Sequence, residues 1–189
     1  MSDALSTYDL YGLSRIVAPL YEAKDTMHDW SHIMRCFTAA IQIINDNALH
    51  PHYPRLAAGL ILHGVIYEAN MEERVKALLM RETGNADETA KIIHVAWESQ
   101  KESPPETLEG GILHDAHLLE GDENFLITKC LVTGTARGQK LDQTVRYFFE
   151  NIVNQKPDYA FDATAHEYKR RYQRAVAYFT SLRNSIHNT

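Results

Sequence analysis

The chain has 189 residues, 44% hydrophobic and 23% charged, with a formal net charge of −6. That length suits one domain (1–189) whose core needs no staples, and the composition is that of an ordinary globular protein. The acidic balance argues against a nucleic-acid polymer as partner, because neutralising phosphates takes a concentrated basic surface. The basic cluster Lys169, Arg170, Arg171 and Arg174 is interleaved with Glu167, Tyr168, Tyr172 and Tyr178, and reads as the solvated face of a helix. Cys36 and Cys130 lie far apart in apolar segments, as reduced thiols do. No apolar run approaches the ~18 residues of a membrane span. Met1-Ser2-Asp3-Ala4 lacks the order of a signal peptide, so a cytoplasmic location is expected.

Helical periodicity runs through nearly the whole chain. Leu10, Leu13, Ile16, Val17 and Leu20 form the stripe of a first helix ending near Ala23, with Asp25 or Thr26 placed to cap the next. The second helix is expected over about His28 to Asn47. At about 100° per residue, Trp30, Ile33, Phe37, Ile41 and Ile44 share one face, and Ser31, Thr38, Gln42 and Asn45 a wet one. His32 joins neither and falls with Cys36, Ala39 and Ile43 on a small apolar strip, so it is expected to point inward. After the break at Pro51 and Pro54, a third helix from Arg55 to about Ala69 is apolar on every side, hence buried, with His63 in its middle and Gly64 beside it.

A short helix from Asn70 to Arg81 and another from Asp87 to about Gln100 follow. Thr107 to Leu119 keeps a helical pattern despite Gly110 and Gly111, and places Asp115 on the stripe of Leu108, Ile112 and Leu119. Phe125–Val132, Val145–Val153 and Ala163–Ile186 complete an all-α chain.

His28 and His32 stand one helical turn apart, with Arg35 three residues on, a spacing that can seat a metal ion. His32, His63 and Asp115 are ionisable groups on faces where charge is costly unless it is partnered. Two imidazoles and a carboxylate form a ligand set for zinc, manganese or iron, brought together from three helices of one bundle. The plainer reading of each is a core polar group satisfied by a carbonyl or side chain.

The order of these motifs resembles the HD-domain superfamily of metal-dependent phosphohydrolases, most closely its small bacterial single-domain branch. The segment His28-Asp29-Trp30-Ser31-His32-Ile33-Met34-Arg35 is similar to that of the family's first histidine. Leu56-Ala57-Ala58-Gly59-Leu60-Ile61-Leu62-His63 is similar to the run ending in its His-Asp doublet. Thr107 to Ala116 resembles the segment of its distant aspartate, and Thr135-Ala136-Arg137-Gly138-Gln139 with Arg146 is also similar; the likeness spans about Asp25 to Ile152. It implies a single HD-type bundle of about eight to ten helices. It also implies a divalent metal (Mn, Fe, Zn or Mg) on His32, His63 and Asp115, and a nucleotide or other small phosphate ester as substrate. His28, Asp29 or His117 would then assist proton transfer, and Arg35 would meet phosphate.

The sequence departs from that pattern at the chemistry. The doublet reads His63-Gly64, so its aspartate is missing and metal binding itself is open. Tyr67 replaces a usual acid, Glu98-Ser99 stands where a histidine commonly precedes serine, and the stretch with two acids reads Asp115-Ala116-His117, followed by Leu118-Leu119-Glu120. Two functions follow: a phosphohydrolase, or a degenerate member that keeps the pocket as a ligand-binding or interaction module. A homodimer is compatible with either. A zinc-protease reading of His28-Asp29-Trp30-Ser31-His32 fails because Asp is a methylene shorter than the Glu base of HExxH and no third-ligand motif follows.

Overall fold

The computed structural model describes residues 10–100, 104–153 and 158–187. Along them run α1 (Leu10–Glu22), α2 (Trp30–Asp46), α3 (Tyr53–Leu62), α4 (Met71–Thr83), α5 (Ala86–Trp97), α6 (Leu108–Leu118), α7 (Phe125–Ala136), α8 (Leu141–Tyr147) and α9 (Asp162–His187). A single π turn, Phe148–Ile152, lies between the last two. There is no strand among the described residues, so the chain is the all-α bundle expected. No helix among them is long and apolar enough to cross a membrane.

Three apolar clusters hold the bundle. Leu13, Val17 and Tyr21 of α1 pack with Ile33 of α2, Leu62 and Ile66 around the end of α3, Val75 and Leu79 of α4, and Ile92 of α5. The second joins Cys36, Ala40 and Ile43 of α2 to Leu56 and Leu60 of α3, Val95 of α5 and Ile112, Leu113 and Ala116 of α6. The third is formed where Phe148 stacks on Phe179 of α9, centroids 4.2 Å apart, beside Val145 and Ala175. α3 is the central rod: Leu56 and every residue from Ala58 to Leu62 are buried.

The strip of α2 carrying Cys36, Ala39 and Ile43 is buried together with Ile33 and Ile44 of the main apolar face, and His32 lies on it, as its neighbours indicated. Ile41, expected on that main face, is 58% exposed. α2 also starts later than expected, at Trp30. Its N-cap is Asp29, which accepts the Ser31 N–H at 2.9 Å, and neither Asp25 nor Thr26 fills that role. His28 therefore lies in the turn ahead of the helix.

α3 stops at Leu62, well before the expected Ala69, for a reason that lies in α1. The Tyr21 hydroxyl accepts the Gly64 N–H at 3.0 Å and donates to the Ile61 carbonyl at 2.9 Å, while the Leu60 carbonyl accepts from the His63 ring at 2.7 Å. These bonds draw off the groups that would carry the helix forward. The glycines of α6 are explained by close approach: a Cβ on Gly110 would meet the Glu98 carboxylate at 2.1 Å. That buried carboxylate accepts the Thr107 N–H at 2.7 Å and the Thr107 hydroxyl at 2.5 Å, bracing the start of α6. Glu98 is thus structural.

Candidate metal centre and cavity

His32 enters from α2, His63 from the end of α3 and His117 from the last turn of α6, and their ligand atoms all lie within 4.8 Å of one another. His32 and His63 are buried, 3% and 2% exposed, and their Nε2 atoms are 3.1 Å apart. The ring of His117 stands 5.3 Å from that of His32 and 5.4 Å from that of His63.

The partners of the outer ring nitrogens fix the tautomers. His63 Nδ1 faces only the Leu60 carbonyl, so it carries the hydrogen. His32 Nδ1 meets a Glu120 carboxylate oxygen at 2.5 Å and donates likewise. Burial would raise the pKa of Glu120, but the bond from His32 and the charge of Lys129 prevail and hold it down at about 2, so Glu120 is ionised. With Nδ1 carrying its hydrogen, a neutral His63 turns an unprotonated Nε2 toward His32 Nε2. The 3.1 Å contact is met either by an N–H of His32, whose other nitrogen faces the Glu120 carboxylate, or by a metal ion between the two rings. Burial, with His32 beside it, pushes the pKa of His63 down to about 3, which disfavours the proton there.

The donor set suits a metal. With bonds of ~2.0–2.1 Å, two nitrogens on one ion stand about 3.0–3.4 Å apart, which brackets the observed 3.1 Å. A carboxylate and a backbone carbonyl behind the two histidines are the supports that ligating imidazoles require.

Asp115, expected as the third ligand, is not brought to the histidines. It is wholly buried, and its two oxygens accept the Ala160 N–H at 3.0 Å and the Phe161 N–H at 3.1 Å, the backbone leading into α9; His114 Nδ1 stands 3.1 Å from the same carboxylate. Two positions along α6 turn the side chain by about 200°, so the face that carries Asp115 away presents His117 to the centre.

The remaining expected residues divide. His28 lines a cavity of about 250 Å³ that opens beside His117, and its Nδ1 lies 2.8 Å from Asp25. Burial lowers its pKa, against the pull of Asp25, so the ring is neutral near pH 7. Asp29, expected in proton transfer, caps α2. Arg35, expected on phosphate, binds the Met27 carbonyl at 2.8 Å and the Ser31 hydroxyl at 2.6 Å and covers the Phe125 ring at 4.8 Å. It braces the turn and does not line the cavity.

Glu120 and Lys129 were not picked out from the sequence. Glu120 is 4% exposed, and its second oxygen takes the Lys129 ammonium. The signal available for it was an acid three residues after His117, behind two leucines. The apolar part of the cavity lining includes Phe125, Leu126, Tyr147, Ile152 and Tyr168.

Two solved structures share this fold. A Lactobacillus plantarum protein, solved as a structural-genomics target, superposes with a TM-score of 0.69 at 17% identity, over 100% of this chain and 99% of its own. Bacillus subtilis YpgQ, crystallised in complex with ADP, gives 0.65 at 19% identity, over 92% of this chain and 97% of its own. At these identities the likeness is one of fold. No family model matches the sequence, and no curated protein matches it significantly.

Gly64, where the resemblance leads one to expect an aspartate, has a structural reason to be glycine. A Cβ at Gly64 would lie 2.7 Å from Tyr21 Cε1 and 2.8 Å from its hydroxyl oxygen. The space beside His63 belongs to Tyr21, so the group is made of three imidazoles, with the Glu120 carboxylate bonded to the far side of the His32 ring.

Proposed function

We propose that the chain is an HD-superfamily protein that holds a divalent metal on His32, His63 and His117 and hydrolyses a nucleotide or another small phosphate ester. The observation that carries this reading is the pair of facing Nε2 atoms 3.1 Å apart with a third imidazole beside them. The order of the histidine motifs and the cavity beside His117 support it. The ADP in YpgQ, a neighbour in fold, is the reason for favouring a nucleotide.

A divalent ion held by His32, His63 and His117 would supply polarisation of a phosphoryl oxygen and a lowered pKa for a water molecule. Leu60 and Glu120 hold the rings of His63 and His32 with their Nε2 atoms aimed at one another. His28, neutral and oriented by Asp25, lines the same cavity and is the group placed to accept a proton. The apolar wall excludes water and receives the organic part of the ester.

One observation favours a second reading, a binding module without turnover. With Tyr21 filling the space beside Gly64 and Asp115 committed to backbone, the group formed by His32, His63 and His117 includes no carboxylate among the described residues; Glu120 reaches His32 from its other side. Incubation of manganese-loaded protein with a panel of nucleoside phosphates separates the two. Phosphate or pyrophosphate release that disappears in His63→Ala is the expected result. Metal-loaded protein that binds a nucleotide and never cleaves it selects the binding module.

A further inference from the structure

α7 carries one charged side chain, Lys129, in a run that otherwise reads Phe, Leu, Ile, Thr, Cys, Leu, Val, Thr, Gly, Thr, Ala. Its ammonium lines the cavity, as do His28, His117 and Glu120, and contacts Glu120. Lys129 contacts one oxygen of Glu120, and the other oxygen holds His32. Arg35 Nε lies 3.5 Å from that second oxygen. One buried carboxylate thus meets two permanent cations, and Lys129 is the one of the two that lines the cavity.

The other cations of the cavity wall are placed differently. Arg171 is spent on Glu167 and on the carbonyls of Leu119 and Gly121. Arg137 is exposed and lies over the Tyr147 ring at 5.8 Å. Lys129 is the lining cation that contacts the carboxylate partner of His32, and its side chain is one-fifth exposed, 21%, so it is open to a ligand while the Glu120 side chain, at 2%, is not.

We propose that Lys129 is the phosphate-recognition residue of this cavity, turning from Glu120 to a phosphate oxygen when the ligand enters. The occupant is a phosphate monoester bearing one flat ring, its phosphate against Lys129 and its ring against Phe125, Tyr147 and Tyr168. The proposal deepens the reading above and rests on it for the position of the phosphate near the histidines. Lys129 suits the role because an ammonium is a compact charge with three rotatable donors that can change partner without moving its helix. Glu120 keeps its bond to His32 throughout, so ligand entry leaves the metal centre's support in place.

The experiment titrates inorganic phosphate, and then phenyl phosphate, into wild type, Lys129→Met and Lys129→Arg by calorimetry, with bound metal measured in the same samples. Loss of one charge-assisted hydrogen bond predicts roughly tenfold to hundredfold weaker phosphate binding in Lys129→Met. Lys129→Arg is expected to bind phosphate nearly as wild type, and metal content to be equal in all three. Phosphate binding unchanged in a folded Lys129→Met overturns the proposal while leaving the metal reading intact. A phosphate-dependent shift of the Lys129 side-chain NMR signal in wild type is the measurement that survives if Lys129→Met does not fold; no shift at saturating phosphate also overturns it. Lys129-dependent phosphate binding in a chain that takes up no metal upholds the recognition role and overturns only the metal centre.

Discussion

Gly64 is held as glycine by a phenol from another helix. A side chain there would collide with Tyr21, and an aspartate would add a carboxylate to a region where Val65 and Ile66 are buried. Gly64→Asp is therefore expected to cost about 3 kcal/mol or more from overpacking and burial of an unpaired charge, measured by denaturant unfolding. Metal affinity is not expected to improve, because the new group meets Tyr21 before it meets the centre. The inward placement of His32 was legible because Cys36, Ala39 and Ile43 define its strip. That His63 and Asp115 must be partnered was legible too. Which partner each would take was not: desolvation demands a donor or cation for a buried carboxylate equally well from a metal or from backbone N–H groups 45 and 46 residues away. For His63 the plainer reading holds at one nitrogen, which Leu60 satisfies, and the other nitrogen faces His32.

At the scale of elements, hydropathy periodicity located the helices well and their ends less well. Ends are decided by cross-chain hydrogen bonds: Tyr21 stops α3, Glu98 braces α6, and Asp115 holds the chain entering α9. None of these pairs has a local spacing that a sequence pattern could show. Asp115→Ala leaves the Ala160 and Phe161 N–H groups without their acceptor and is expected to destabilise the fold by about 2–4 kcal/mol. Hydrogen exchange is expected to quicken first across residues 158–187 while bound metal is unchanged. Loss of metal with α9 still protected would restore Asp115 to the ligand set.

For the whole molecule, the absence of strand signals and the buried character of α3 were enough to establish an all-α bundle, and two solved structures share that fold. The centre lies where α2, α3 and α6 meet, with α7 closing one side of the cavity. Its location was legible through His32 and His63; its composition was not, because the rotation of α6 decides whether Asp115 or His117 faces inward. The most direct test is metal titration of the purified chain, by calorimetry and elemental analysis, in wild type, His117→Ala and Asp115→Asn. One divalent ion per chain in wild type and in Asp115→Asn, and none in His117→Ala, is the predicted result. A wild-type chain that takes up no metal, or an ion lost from Asp115→Asn and retained by His117→Ala, would contradict it.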